Sequence, residues 1–124
     1  LVGIDAPGGI DGHSLSPAMR GEAAPPSGRD WLHIEHAPNH HCLTDGRDKY
    51  IWWPGTGREQ FFDLRNDPTE CRDLARDGSA AERVAAWRQR LIDVLRDRPE
   101  EFVENGELKP GQPYGPVIPG SHKA

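Results

Sequence analysis

The sequence predicts an α+β fold in which a four-stranded antiparallel sheet packs against one C-terminal helix. Four short runs of β-forming residues, separated by turn signals, lie between residues 31 and 64. An apolar stripe with helical period follows over residues 80–98. Glycine and proline are frequent at both ends, which predicts irregular flanking segments. We therefore expect a linker over residues 1–30, a folded subdomain over 31–104 and an extended tail over 105–124.

The four predicted strands cover residues 31–36, 40–44, 49–53 and 59–64. Asp45-Gly46 is a strong hairpin signal, and a turn rich in glycine and proline over residues 54–57 separates the last two strands. In the third strand, Tyr50 and Trp52 face one side of the sheet and Ile51 and Trp53 face the other, because side chains alternate along a strand. Both faces of this strand are apolar, so we expect it to be central and covered on both sides.

The helix over residues 80–98 is predicted from its apolar stripe and its end signals. Ser79 is the expected N-cap, with Glu82 in the capping-box position, and Pro99 stops the helix. The stripe comprises Val84, Trp87, Leu91, Val94 and Leu95. The opposite, solvent-facing side is expected to carry Arg83, Arg90, Asp93 and Asp97. A shorter helical turn is predicted over residues 15–20, with Ser14 as its N-cap.

Composition narrows the class of protein. The net charge of -5 argues against a nucleic-acid partner, and no run approaches 18 apolar residues, so no membrane partner is expected. Leu, Ile, Val and Phe give 9 + 6 + 5 + 3 = 23 of 124 residues, which allows either a small core or a surface completed by a partner. The chain starts without Met or a signal sequence, so we expect a fragment whose compartment is unknown. Cys42 and Cys71 are expected to be half-buried free thiols, with a disulfide as the alternative.

Histidines form the first candidate for chemistry: His33, His36, His40 and His41, with Glu35 among them. Imidazole and carboxylate together suit zinc or iron. However, His33 and His36 differ by three along a predicted strand and therefore point to opposite faces. The metal-binding spacing H-E-x-x-H is also absent. We expect these histidines at a surface or domain interface and assign no metal ligand.

Other candidates also have simpler interpretations. A sugar-binding face of Trp31, Trp52 and Trp53 is possible, but adjacent residues of a strand cannot share a face, so at least one is expected in the core. The segments 44–49 and 55–58 resemble anion-binding turns, yet hairpin turns with solvated charges are favoured, because phosphate-loop spacing is absent. No G-x-S-x-G nucleophile motif occurs. The residues alone thus indicate a small module without a self-contained active site.

Three sequence blocks carry a resemblance to a known family. Residues 9–15 read G-I-D-G-H-S-L and are followed by R-G-E at 20–22; residues 44–52 read T-D-G-R-D-K-Y-I-W; residues 59–75 contain E-Q-F-F-D-L, N-D-P and D-L-A. In this order the blocks resemble the C-terminal part of type I sulfatases, the formylglycine-dependent arylsulfatases of the alkaline-phosphatase-like superfamily. The resemblance covers roughly residues 1–98. It implies a C-terminal subdomain in which a helix packs on a four-stranded antiparallel sheet.

The resemblance also implies a parent enzyme that hydrolyses sulfate esters with a formylglycine nucleophile and a divalent cation, usually calcium. The formylglycine arises from C-x-P-x-R or S-x-P-x-R. Neither Cys42 nor Cys71 fits, and Ser16 is followed by proline one position too early. We therefore assign no catalytic residue to this chain. It is expected to be inactive alone and to support and border the active site of a missing N-terminal catalytic domain, which binds the sulfate ester.

One site expectation follows from the same resemblance. Related sulfatases carry a G-E-H strand that borders the substrate cleft, and the matching run here is residues 34–36. This implies that His36, and less directly His40 or His41, lines the leaving-group side of the cleft. Two alternatives remain open. One is a stand-alone, non-catalytic glycan- or metal-binding module; the other is a fragment of a related phosphonate monoester or phosphodiester hydrolase.

Overall fold

A computed structural model of the chain describes residues 14, 16–22, 30–36 and 39–111. Contacts divide the chain after Asp30 into two units. The described part of the first unit contains helix α1, Ser16–Met19, where the backbone N–H of Ser16 donates to Ser14 Oγ at 3.2 Å, in line with the predicted cap. Among the described residues, no helix has the length and apolar character needed to cross a membrane.

The second unit contains the sheet and the main helix. Its elements are β1 Leu32–His36, β2 His40–Thr44, β3 Asp48–Trp53, β4 Arg58–Asp63, a 3-10 turn Gly78–Ala80, helix α2 Ala81–Leu95, β5 Val103–Glu104 and β6 Glu107–Leu108. Strands β1 to β4 form one antiparallel sheet in sequence order. The predicted α+β fold class is confirmed, and each strand of the large sheet lies within one residue of its predicted bounds.

The two faces of the sheet differ in what they pack against. The strand residues whose side chains lie on the same side of the sheet as Tyr50 form what we call the inner face: His33, Glu35, His41, Leu43, Asp48, Tyr50, Trp52, Glu59, Phe61 and Asp63. Its apolar members pack against the buried stripe of α2 and against Phe102, and this contact forms the hydrophobic core. The outer face comprises Leu32, Ile34, His36, His40, Cys42, Thr44, Lys49, Ile51, Trp53, Arg58, Gln60 and Phe62.

Strand β3 is central in hydrogen bonding but is not buried equally on its two sides. Tyr50 and Trp52 are 0% and 1% exposed under α2, whereas Ile51 and Trp53 on the outer face are half-buried. Next to them on the same face, Leu32 and Ile34 are each 48% exposed. Within this chain, the outer face of β3 is therefore only partly covered, and cover by a missing partner stays a prediction.

The start of α2 corrects the predicted capping box. Asp77 Oδ1 accepts hydrogen bonds from the backbone N–H of Ser79 at 3.0 Å and from its hydroxyl at 2.7 Å. Ser79 is thus a donor inside the 3-10 turn, which Asp77 caps, while the N-cap position of α2 itself is Ala80, without a side-chain cap hydrogen bond. The helix also ends at Leu95, three residues before the predicted end, and Ile92 joins its buried stripe.

Residues 103–111 form a small hairpin and then contact the turn between β3 and β4. The N–H of Gly111 donates to the carbonyl of Pro54 at 2.7 Å. Gly57 has φ +71°, and a Cβ there would lie 3.0 Å from Pro110 Cβ, so both the turn and this contact require glycine. The tail boundary at residue 105 stays a prediction, although β5 and β6 pair across it; residues 112–124 lie outside the described ranges.

The two cysteines are both free, but they are not half-buried as predicted. Cys42 is 3% exposed, and burial raises the pKa of its thiol, whereas Cys71 is exposed. We expect Cys71 to react with a thiol reagent at least about tenfold faster than Cys42 in the native protein, because only accessible thiolate reacts. A Cys71→Ser variant should retain only the slow thiol until denaturant is added. Two fast thiols in the native wild-type chain would contradict the burial of Cys42.

Candidate functional site

The histidines of β1 and β2 are divided between the two faces of the sheet. His33 and His41 stack on the inner face with ring centroids 5.3 Å apart. His36 and His40 stack on the outer face with centroids 5.2 Å apart. This confirms that His33 and His36 point to opposite sides. The histidine cluster of the sequence is therefore two separate pairs, each formed across the β1–β2 hairpin.

In the inner pair, His41 is fully buried and His33 is half-buried beside it. His33 Nε2 and His41 Nδ1 are 3.1 Å apart, so one imidazole donates a hydrogen bond to the other. The His41 ring also packs against Trp52 and, edge-on, against Phe102. Burial lowers the pKa of His41 to about 4 and also lowers the pKa of His33. Near neutral pH both rings are consequently uncharged.

Glu35 completes a group that resembles a metal-ligand set. His33, Glu35 and His41 each offer one ligand atom, and these atoms lie within 4.8 Å of one another. However, the two terminal nitrogens of Arg98 each donate to Glu35 at 3.0 Å, and Arg98 also contacts Glu100. A guanidinium beside the set opposes binding of a second cation, so no metal site is assigned here. Sequence reasoning missed the grouping because it compared histidines along one strand and not across the hairpin.

The carboxylates of the inner face also do not fit calcium, the cation that the family resemblance implies. Calcium takes six to eight oxygen ligands, yet each of these acids is held by an arginine. The pairs are Asp48 and Asp63 with Arg83, Glu59 with Arg88, and Glu35 with Arg98. Because neither cysteine lies in a formylglycine motif, the described residues hold neither group, and we derive no catalytic step through them.

These ion pairs fix α2 and the segment after it on the sheet. Arg88 donates to both oxygens of Glu59, at 2.5 and 2.7 Å, and the hydroxyl of Tyr50 donates to the same carboxylate. The indole N–H of Trp87 donates to Asp48 at 3.1 Å. The prediction that Arg83 faces solvent is wrong, because it bridges two strand carboxylates. Partly exposed pairs contribute about 1 kcal/mol or less each, so their main effect is to set the helix position.

On the outer face, four side chains form a row across the sheet at the end where the β1–β2 and β3–β4 turns lie. We call His36, His40, Trp53 and Arg58 the outer-face row. His36 is the register partner of His40, and Trp53 is the register partner of Arg58. The His40 ring lies 4.8 Å from the Trp53 ring, tilted by 44°. His36 and Arg58 are exposed, and the two central rings are half-buried.

Some polar atoms of the outer-face row have hydrogen-bond partners and others do not. The indole N–H of Trp53 donates to Gln60 Oε1 at 3.2 Å, which fixes the ring. Asn39 Nδ2 lies 3.3 Å from His36 Nδ1. His40 Nδ1 is buried and has no hydrogen-bond partner among the described residues. Arg58 forms no ion pair with any described residue, unlike the arginines that hold α2 to the sheet.

The structure separates the three histidines predicted to line a cleft. His36 and His40 lie together in the outer-face row. His41 lies on the opposite face of the sheet and has no exposed surface in this chain. Trp52 is in the core, as expected for at least one of the tryptophans. The hairpin lysine, Lys49, is not a free solvated charge, because it pairs with Glu70 at 2.8 Å.

The curated proteins that the chain resembles are both sulfatases. No protein-family model matches the chain. The chain is 33% identical over 114 residues to an arylsulfatase of Clostridium perfringens, an alignment that covers 89% of the chain and 23% of the relative. It is 28% identical over 108 residues to a Delta 4,5-hexuronate-2-O-sulfatase of Bacteroides thetaiotaomicron, covering 82% of the chain and 22% of that relative. The chain thus spans less than a quarter of the length of either relative.

Solved structures show the same fold. A 2-O GAG sulfatase and a putative sulfatase from Bacteroides thetaiotaomicron VPI-5482 each superpose with a TM-score of 0.65 at 26% identity, over 81% of this chain and 23% of theirs. A phosphonate monoester hydrolase of Agrobacterium radiobacter superposes with a TM-score of 0.53 at 21% identity, over 69% of this chain and 20% of its own. At that identity the last similarity concerns the fold alone.

Proposed function

Because the chain matches the C-terminal part of sulfatases over more than four fifths of its own length, we propose that it is the C-terminal subdomain of a sulfuric ester hydrolase. The observation that carries the proposal is the 33% identity to an arylsulfatase across 114 residues. The fold supports it, because the sheet and helix superpose on sulfatase structures. In this proposal the formylglycine nucleophile and its calcium belong to the catalytic domain that the chain supports.

The outer face is the surface we assign to that catalytic domain. Leu32 and Ile34 are each 48% exposed there, and Ile51 beside them is half-buried. A sheet with one face packed on a helix and apolar residues on the other normally has both faces covered. More than three quarters of the relatives' length lies outside this chain, which is why the occupant we propose is the catalytic domain and not a second copy.

Substrate contact is proposed at one end of this face. His36 and His40 border the leaving-group side of the cleft, because they are the two cleft candidates that reach the outer face. The inner face has a supporting role: its ion pairs and core hold the sheet on α2, so that the outer face is presented in one orientation. Two relatives are named for sulfated saccharide substrates, and we propose the same class here.

Activity of the chain alone, beside the intact enzyme, tests the proposal. With calcium and a chromogenic aryl sulfate, we expect turnover by the intact enzyme and none by the purified 124-residue chain, since the chain has no formylglycine motif. An aryl phosphonate monoester serves as the second substrate. If the intact enzyme strongly prefers the phosphonate, the assignment changes to phosphonate monoester hydrolase. Turnover by the chain alone would contradict the supporting role and point to Glu35 and the inner histidine pair.

A cheaper observation separates the enzyme from a stand-alone binding module. An open reading frame that continues upstream of Leu1 into C-x-P-x-R or S-x-P-x-R agrees with the sulfatase proposal. A reading frame that starts within a few codons of Leu1 contradicts it and favours the binding module.

A further inference from the structure

Acidic and basic side chains are distributed unequally between the two faces of the sheet. This distribution indicates that a ligand of the outer face carries negative charge. The four acidic residues of β1 to β4, Glu35, Asp48, Glu59 and Asp63, are all on the inner face. The strand residues of the outer face include Lys49 and Arg58 but no acid. Because Glu70 already pairs with Lys49, Arg58 is the cation of this face that remains available.

Aromatic rings lie next to that cation in a fixed arrangement. Gln60 holds the indole N–H of Trp53, so the ring is oriented before any ligand binds. The His40 and His36 rings continue the row at centroid distances of 4.8 and 5.2 Å. Three interstrand spacings make the row about 14 Å long, enough for a disaccharide. The His36 and His40 rings stack on each other and His40 packs against Trp53, so a sugar meets the half-buried Trp53 ring on the side away from His40. The guanidinium beside it binds a carboxylate or sulfate in bidentate fashion.

From these observations we propose that the outer-face row is a subsite for an acidic saccharide on the leaving-group side of the scissile sulfate ester, with Trp53 stacking on a sugar ring and Arg58 binding its anionic group. His36, which is exposed at the end of the row, contributes further ring surface, and His40 packs between it and Trp53. The inference rests on the proposed sulfatase function and adds the recognition residues and the charge of the substrate. Leu32 and Ile34, farther along the sheet, remain the contact with the catalytic domain.

Kinetics of the intact enzyme on two substrates test the subsite. The variants are Trp53→Ala and Arg58→Ala, and the matched control is Arg47→Ala, an exposed arginine in the hairpin at the opposite end of the sheet. On a sulfated, uronate-containing disaccharide we expect each row variant to lose about tenfold in kcat/KM, mainly through KM, as loss of about 1.4 kcal/mol of binding predicts. On 4-nitrophenyl sulfate, whose leaving group carries no carboxylate or sulfate, Arg58→Ala should lose much less than on the disaccharide; the nitrophenyl ring can itself stack on Trp53, so Trp53→Ala should show a smaller loss there than on the disaccharide. The control should be unchanged on both substrates.

Each result decides the matter. An equal loss on both substrates would show that the row supports domain docking and not substrate binding. No loss on either substrate would show that the row does not contact the leaving group. If the intact wild-type protein hydrolyses no sulfate ester, the proposed function fails, and calorimetric titration with the same disaccharide still tests the row. Binding that weakens about tenfold in Trp53→Ala supports the subsite, and absence of wild-type binding overturns it.

Discussion

Replacing Trp52 with alanine is expected to lower the free energy of unfolding by about 3–5 kcal/mol, as for other large aromatic residues in a core. The side chain is 1% exposed. It packs edge-on against Phe102, with ring centroids 5.7 Å apart, and face-on against His41 at 5.9 Å. The truncation removes apolar contact from the centre of the sheet–helix interface and leaves a cavity. Denaturation by urea, followed by circular dichroism, measures the effect.

The neighbouring tryptophan is the matched control. Trp53 differs from Trp52 by one position along β3, and so it lies on the outer face, where it is half-buried. We expect Trp53→Ala to cost about 1 kcal/mol, a typical value for a substitution outside the core. If Trp52→Ala leaves no folded protein, Trp52→Phe provides a measurable loss, smaller than that of the alanine variant. Similar losses for Trp52→Ala and Trp53→Ala would contradict the assignment of the inner face.

Strand positions could be predicted from the sequence, but the face that packs on the helix could not. Dense β-formers and turn residues define the four strands. In β3, however, both faces are apolar, so alternation gives no preference between Tyr50 with Trp52 and Ile51 with Trp53. The structure places α2 over the former pair because Leu43 and Phe61 on the neighbouring strands are in register with it. Register is a property of pairs of strands, which a reading along one strand at a time does not provide.

The helix arginines show the same limit. The helical period predicts four of the five buried residues of α2, but Arg83, expected on the opposite side, lies on the flank of the buried stripe. Whether a flanking residue meets solvent or the rim of the sheet depends on which strand residues lie beneath it. Here Asp48 and Asp63 are cross-strand partners on the inner face, and Arg83 bridges them. The sequence feature that could have predicted this contact is that Asp48 and Asp63 lie on the same face of the sheet as Tyr50.

The sequence predicts which histidines of β1 lie on opposite faces of the sheet, but it does not predict which histidines contact each other. Strand alternation separates His33 from His36, and the hairpin between β1 and β2 then pairs each with a histidine of β2. The outer-face row required two more strands in register, and its arginine comes from β4. Neither the row nor the core position of His41 follows from the sequence spacing of the histidines.

Lowering the pH from about 6.5 to about 4 is expected to destabilise the chain through His41, by about 3 kcal/mol over the whole interval. The ordinary histidine pKa is near 6.5, and burial lowers the pKa of His41 to about 4 in the folded state. Within this window the unfolded chain binds a proton that the folded chain does not. Stability is therefore fully present above pH 6.5 and is lost as the pH falls. The lowered pKa of His33 acts in the same direction.

The charged groups around His41 do not reverse this sign. Glu35 and Glu100 raise its pKa, whereas His33 and Arg98 lower it, and burial is the largest cause. Carboxylates with lowered pKa values, such as Glu59 and Glu100, lose their contribution to folding stability only when the pH falls below their ordinary pKa of about 4.3. Their effect on stability therefore begins where that of His41 ends.

Urea unfolding at several pH values measures the slope of the unfolding free energy against pH. In a His41→Phe variant, whose ring can pack against Trp52 and Phe102, the slope between pH 6.5 and 4 should fall. An unchanged slope would mean that His41 is protonated in the folded state, and the buried, neutral inner pair would then be wrong.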